Sequence, residues 1–273
     1  MNPTLIDHLF VVLLAAPFPL WAVWDYRRFV ANLRAGKPGA RIRAYRETLA
    51  VEWGLALIVV LLWAGTGREA GLLGVHLEAG KWWWVGAILT LAISTFLVVQ
   101  VVAVRRHKGS LEKVRAQVEA LSPLFPGTPG EVRWFNALSV TAGICEELVY
   151  RGYLMAYLTT LAGTPAAVLL SSAAFGIGHA YQGPAGMAKT FGVGLTMALV
   201  SLLTGSLWAP ILLHALIDIT GGMVGRFVLA RPDGDLPGVA TASRSGELRR
   251  PRVTCCGTGG SRSSEGQVKM VHS

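Results

Sequence analysis

Long apolar stretches alternate with short polar connectors along most of this chain. They lie at about 5–24, 48–65, 82–104, 133–161, 165–181, 190–203 and 207–229. Within them the apolar residues show neither strand-like alternation nor a single narrow helical stripe. They are apolar all round, which marks helices surrounded by lipid or by other helices. A helix needs about 20 such residues to cross a bilayer. The pattern therefore predicts an all-α fold: a polytopic transmembrane bundle of about seven spans. Trp21, Trp24 and the run Trp82, Trp83 and Trp84 suit the membrane interface, and Trp208 and Pro210 mark the start of the last span.

Composition supports the same class. Of 273 residues 52% are hydrophobic and only 15% are charged, against about 25% charged in soluble domains. The formal net charge is +9, but the basic residues sit between apolar runs and not on one surface stripe. That placement argues against nucleic-acid binding and for membrane topology. Arg27, Arg28, Arg34, Lys37, Arg41, Arg43 and Arg46 follow the first span, and Arg105, Arg106, Lys108, Lys113, Arg115 and Arg133 follow the third. The intervening 66–81 segment holds only Arg68 and Lys81. The positive-inside rule puts the first two loops in the cytoplasm. The N-terminus is then expected outside and the C-terminus in the cytoplasm, with Lys189 and Arg231 inside. Asp7 and His8 precede the first apolar run and the arginines follow it, so a retained helix is expected there and not a signal peptide.

Three regions follow from these breaks. Residues 1–132 form an N-terminal three-span region with basic loops. In it Leu111, Val114, Val118 and Leu121 make an amphipathic stripe, with Ser110 a possible cap and Pro123 ending it. That stripe reads either as a helix on the inner membrane face or as a solvated connector. Residues 133–231 hold the remaining spans. Residues 232–273 are Gly-, Ser- and Arg-rich without apolar period and read as a disordered tail. Cys145, Cys255 and Cys256 make no disulfide framework.

Ionisable side chains inside a span cost several kcal/mol at mid-depth. The first three spans hold few, and Glu52 is expected near a helix end. The later spans hold Glu146, Glu147, Arg151, His179, His214 and Asp218. Glu147 and Arg151, four apart, share a helix face and can pair. Glu146 points about 100° away, towards a cavity. The run could equally be a structural ion cluster. His179, after Gly176 and Gly178, can be a general base, a metal ligand or a hydrogen-bonded structural residue. Asp218 could orient His214, or both could line the cavity. The two glycines permit close helix approach, as does the Gly221–Gly225 spacing. Together the set suits water activation, with a glutamate as base and histidine sharing that task or stabilising an oxyanion.

Glu146-Glu147-Leu-Val-Tyr-Arg151, Phe175-Gly-Ile-Gly-His179 and His214-Ala-Leu-Ile-Asp218 resemble, in order, the three motifs of the CAAX protease and bacteriocin-processing (Abi) family, which includes the type II CAAX prenyl proteases. The likeness covers about 134–225. It implies a glutamate-dependent intramembrane endopeptidase in which Glu146 and His179 activate water, Glu147 and Arg151 support the site, and His214 and Asp218 hold the oxyanion. The prenyl proteases usually carry asparagine where this chain has Asp218, which favours Asp218 orienting His214 instead. His179, His214 and a glutamate can bind zinc in principle, but the HExxH motif is absent and the mechanism expected is metal-free, with no cofactor required. The implied partners are a membrane-associated or lipid-modified protein or peptide and the bilayer itself, in a prokaryotic plasma membrane. A non-catalytic scaffold or immunity protein of the same family, and a transporter with the carboxylates as proton relay, are the competing readings.

Overall fold

A computed structural model describes residues 1–75, 80–106, 115, 116 and 118–230, and all regular structure among them is helical. Leu111 and Val114 of the amphipathic stripe, its candidate cap Ser110 and the 232–273 tail lie outside the described residues. The helices are α1 (Leu5–Ala15), α2 (Pro17–Arg34), α3 (Ala40–Gly65), α4 (Trp83–Arg106), α5 (Pro129–Glu147), α6 (Met155–Gly178), α7 (Gly183–Thr204) and α8 (Trp208–Leu229). A π-helical turn, Leu148–Leu154, joins α5 to α6.

Six helical runs are long and apolar enough to cross a membrane, which makes this an integral membrane protein. One of them, Pro129–Gly178, has 50 residues. At 1.5 Å per residue it would be about 75 Å long if straight, over twice the apolar thickness of a bilayer. It is not straight. Gly163 leaves helical geometry at φ 76° and ψ 164°, a conformation favourable only for glycine, and Pro165 starts the return. Tyr150 and Phe175 then meet with ring centroids 5.1 Å apart, which only an antiparallel hairpin allows. The run folds back on itself, and its two arms correspond to the fourth and fifth of the seven apolar stretches.

Helix ends differ from the apolar boundaries where local chemistry extends them. α5 starts at Pro129, not near Arg133, because Thr128 and Glu131 form a reciprocal capping box with Pro129 in the first turn. α3 begins at Ala40, so Arg41, Arg43 and Arg46 are helical and not loop residues. Arg41 spans to the far side of the same end, donating to the Pro123 carbonyl at 3.0 Å and pairing with Glu131 at 3.1 Å. Apolarity marks the lipid-immersed part of a helix, not its full length.

The helices carrying the candidate residues approach closely at two glycines. A Cβ at Gly143 would lie 2.8 Å from the Ile211 carbonyl oxygen of α8, and one at Gly176 2.9 Å from that of Met187 in α7. Gly225 packs on the Phe125 ring inside the bundle, whereas Gly221 faces open space. Replacing Gly143 by leucine should force α5 from α8. We expect a loss of about 1–3 kcal/mol or more, read as a lower unfolding temperature in detergent, whereas Gly221→Leu should leave it unchanged.

The first two spans share one core with the later ones, while α4 packs separately against α7 and α8. Phe10 and Leu14 of α1, Val59 and Trp63 of α3, and Tyr150, Tyr153 and Phe175 pack in a single cluster. Asp7 links the same elements. Its fully buried carboxylate accepts hydrogen bonds from Arg68 at 2.6 and 2.9 Å, from the Tyr153 hydroxyl at 2.8 Å and from the Thr4 amide at 2.7 Å. Arg68 lies in the connector after α3, and its hydrogen bonds to Asp7 raise its pKa further above the ordinary range. Asp7→Ala would leave Arg68 and Tyr153 without their acceptor. A loss of about 1–3 kcal/mol in stability, with faster proteolysis near the N-terminus, is the expected result in detergent-solubilised protein.

Candidate active site

The last turn of α5 presents two adjacent carboxylates to different surroundings. Glu147 points into the protein, where its side chain and that of Arg151 are both fully buried. Arg151 Nη1 donates to Glu147 Oε1 at 3.0 Å, and Nη2 donates to the Gly194 carbonyl of α7 at 3.0 Å. The guanidinium carbon stands 4.3 Å from the Phe175 ring centroid, in cation–π range. The π-helical turn carries Arg151, and such turns frequently mark functional sites. Its Gly152 lets the turn approach the Leu73 carbonyl, 3.1 Å from where a Cβ would lie.

His214 in α8 meets the same carboxylate. Its Nδ1 lies 2.7 Å from Glu147 Oε1. A carboxylate already engaged by arginine is an acceptor, so the imidazole donates from Nδ1. The other nitrogen, Nε2, is thereby aimed at Glu146 Oε2, 3.8 Å away, and Asp218 Oδ2, 3.9 Å away. Neither distance is a direct hydrogen bond. The sequence suggests Asp218 as the group that orients His214. In the structure Glu147 occupies that position, and Asp218 lies near the opposite edge of the ring.

His179 caps the C-terminus of α6. Its Nδ1 lies 2.9 Å from the Phe175 carbonyl oxygen, four residues back. A carbonyl only accepts, so here too the proton sits on Nδ1 and Nε2 is left for another partner. Phe175 is the common neighbour, with its ring centroid 4.8 Å from His179 and 5.8 Å from His214.

Glu146, His179, His214 and Asp218 line one cavity of about 740 Å³ whose remaining wall is mostly apolar. Glu147 and Arg151 stand behind that wall. Glu146 Oε2 is buried without a hydrogen-bond partner among the described residues. Asp218 lies within electrostatic reach of His214, Glu146, His179 and Glu147. The six side chains singled out from the sequence are thus brought together, four on the cavity and two supporting them. Among the described residues no three His, Cys, Asp or Glu side chains are arranged to hold a metal ion, so no step is derived through one.

One cavity residue differs from its sequence-based placement. Glu52 is not near a helix end. It sits at the middle of the 26-residue α3, only 8% exposed, and lines the same cavity. The signal was present in the sequence, since a lone carboxylate inside an apolar run is itself unusual. It is hidden because α3 begins well before its apolar stretch.

Fold and site define an integral membrane protein with a carboxylate–imidazole cluster opening on a cavity inside its helix bundle. Residues 128–220 match the family model for Type II CAAX prenyl endopeptidase Rce1-like. This segment is therefore similar to the type II CAAX prenyl endopeptidases, consistent with the CAAX protease family, which is generally one of proteases. No curated protein and no solved structure matched the chain.

Proposed function

We propose that the protein is an intramembrane endopeptidase that hydrolyses a peptide bond of a membrane-associated or lipid-modified, CAAX-like substrate. The observation that carries this reading is the convergence of Glu146 and His179, one from each arm of a folded-back helix pair, on one largely apolar cavity. Glu146 is the general base: it takes a proton from water, and the hydroxide equivalent attacks the scissile carbonyl. His179, with Nε2 unengaged, shares the water's second hydrogen bond. His214, held through Nδ1–H by Glu147 and acting as the imidazolium, donates from Nε2–H to the oxyanion that develops on the carbonyl. Glu146 then returns its proton to the leaving amine. Glu147 and Arg151 touch no substrate; they position His214 and hold the α5–α7 contact. Asp218 borders His214 without bonding it, and its role lies in the field at Nε2.

The apolar cavity wall, with Phe18, Trp21, Leu55, Phe96 and Val193 among its residues, suits a substrate that enters from the bilayer. The basic loops after α2 and α4 favour a cytoplasmic position for both, with the N-terminus outside. The test is a comparison of membrane proteomes from cells carrying the wild-type chain and the Glu146→Gln variant. Peptides with new C-termini that appear only with the wild type identify the substrate. Identical terminal peptides in both would remove the support for this function.

A further inference from the structure

Glu52 is the one buried carboxyl of the cavity that the proposed mechanism leaves unused. It sits at mid-length in α3, about 18 Å from either helix end, and inside the apolar part of the chain, where an unpaired charge is poorly tolerated. Its Oε2 is buried and has no hydrogen-bond partner among the described residues; the Oε2 atoms of Glu146 and Glu147 share that state, but Glu147 is held through Oε1 by Arg151 and His214. The titratable groups facing it are Cys145 and Glu146 of α5, Asp218 of α8 and Tyr181 of the turn after α6. None of these is a cation. Glu52, Glu146 and Asp218, from three helices, thus share one largely apolar chamber, whose lining also includes Asp25 of α2, and like charges close together do not all ionise. His214 stands 3.8 Å from Glu146 and 3.9 Å from Asp218 and favours charge on those two. Glu52 has no such neighbour, so the proton stays with it.

Resting on the peptidase reading above, we propose that Glu52 is a positioning residue of the active site: as a neutral carboxylic acid it donates a hydrogen bond, directly or through one cavity water, to Glu146 and so keeps the base ionised and turned into the cavity. A neutral acid retained as a hydrogen-bond donor is a known catalytic device. It also accounts for a buried carboxyl in an apolar stretch whose Oε2 lacks a hydrogen-bond partner among the described residues.

The experiment compares wild type, Glu52→Gln, Glu52→Leu and Glu146→Gln in liposomes. Infrared difference spectra need no substrate. The band of a protonated carboxyl should be present in the wild type at neutral pH, disappear in Glu52→Gln and shift in frequency in Glu146→Gln, which removes its acceptor. A spectrum unchanged by Glu52→Gln overturns the proposal. The second arm measures the pH profile of cleavage of a fluorogenic farnesylated CAAX peptide. Glutamine still donates, so Glu52→Gln should keep the wild-type profile. Glu52→Leu should cut the rate about tenfold and move the acidic limb to higher pH. A limb that moves to lower pH in Glu52→Gln would mean that Glu52 is ionised, and an unmoved limb in Glu52→Leu would mean a packing role; either ends the proposal. Cleavage by Glu146→Gln at the wild-type rate would instead sink the peptidase mechanism itself, whatever Glu52 does.

Discussion

Glu146→Gln should reduce peptide-bond cleavage by a factor of about 10²–10⁴, the range supplied by a positioned general base. Glutamine keeps the shape and the hydrogen-bonding reach of the side chain but cannot take the proton of water. Glu146 makes no direct hydrogen bond to a protein group at Oε2, and its closest ionic neighbour, His214, is 3.8 Å away. Little structural support is therefore lost with its charge, and the unfolding temperature in detergent should stay within a degree or two of the wild type by the usual size of surface-like effects. That separation makes the variant decisive: cleavage lost with stability kept identifies chemistry. Cleavage and stability lost together would assign Glu146 to the fold. His179→Ala should give a comparable loss of rate, since Nε2 of His179 has no structural partner to forfeit.

Arg151→Met should have the opposite signature, with the largest effect on stability. It strands the fully buried Glu147 carboxylate and frees the Gly194 carbonyl that ties the π-helical turn to α7. Removing one partner of a buried ion pair costs about 3–5 kcal/mol, and inside a bilayer no water compensates. Unfolding in a mild detergent should shift accordingly, and cleavage should fall with it because Glu147 no longer holds Nδ1 of His214. The double variant Glu147→Gln with Arg151→Met should recover part of the stability but none of the activity, since it removes the orphaned charge without restoring the orientation of His214. Additive losses in that double-variant cycle would show that the two side chains do not act as a pair.

The contrast between these variants follows from the chemistry of neighbouring positions. Glu146 and Glu147 are identical in type and adjacent in the chain, yet one faces a chamber and the other an arginine. The helical rotation of about 100° per residue decides this. That much can be read from a run of six letters, as can the pairing of Glu147 with Arg151 one turn on. The hinge between the fourth and fifth apolar stretches is equally local, because a glycine followed two residues on by a proline disfavours a continuous helix at that point.

Other features depend on which helix lies beside which. Glu52 is 94 positions from Glu146 in the numbering and reaches the same cavity only because α3 packs on α5. Asp7, Arg68 and Tyr153 come from three separate segments and give no joint signal along the chain. Asp218 and His214 have the spacing of a bonded pair, but the ring turns to Glu147, whose Oε1 lies 2.7 Å from Nδ1 across the helix contact.

By itself, then, the chain determines what is decided over a turn or two of helix: how many times it crosses the bilayer, where it turns back, and which charged residues sit in apolar surroundings, because length, apolarity and the 3.6-residue repeat act locally. The tertiary structure alone decides the company those residues keep. Contacts such as Gly143 on Ile211 and Gly176 on Met187 set helix neighbours to within a few ångströms, and hydrogen bonds and the repulsion between carboxyls change sharply over that distance.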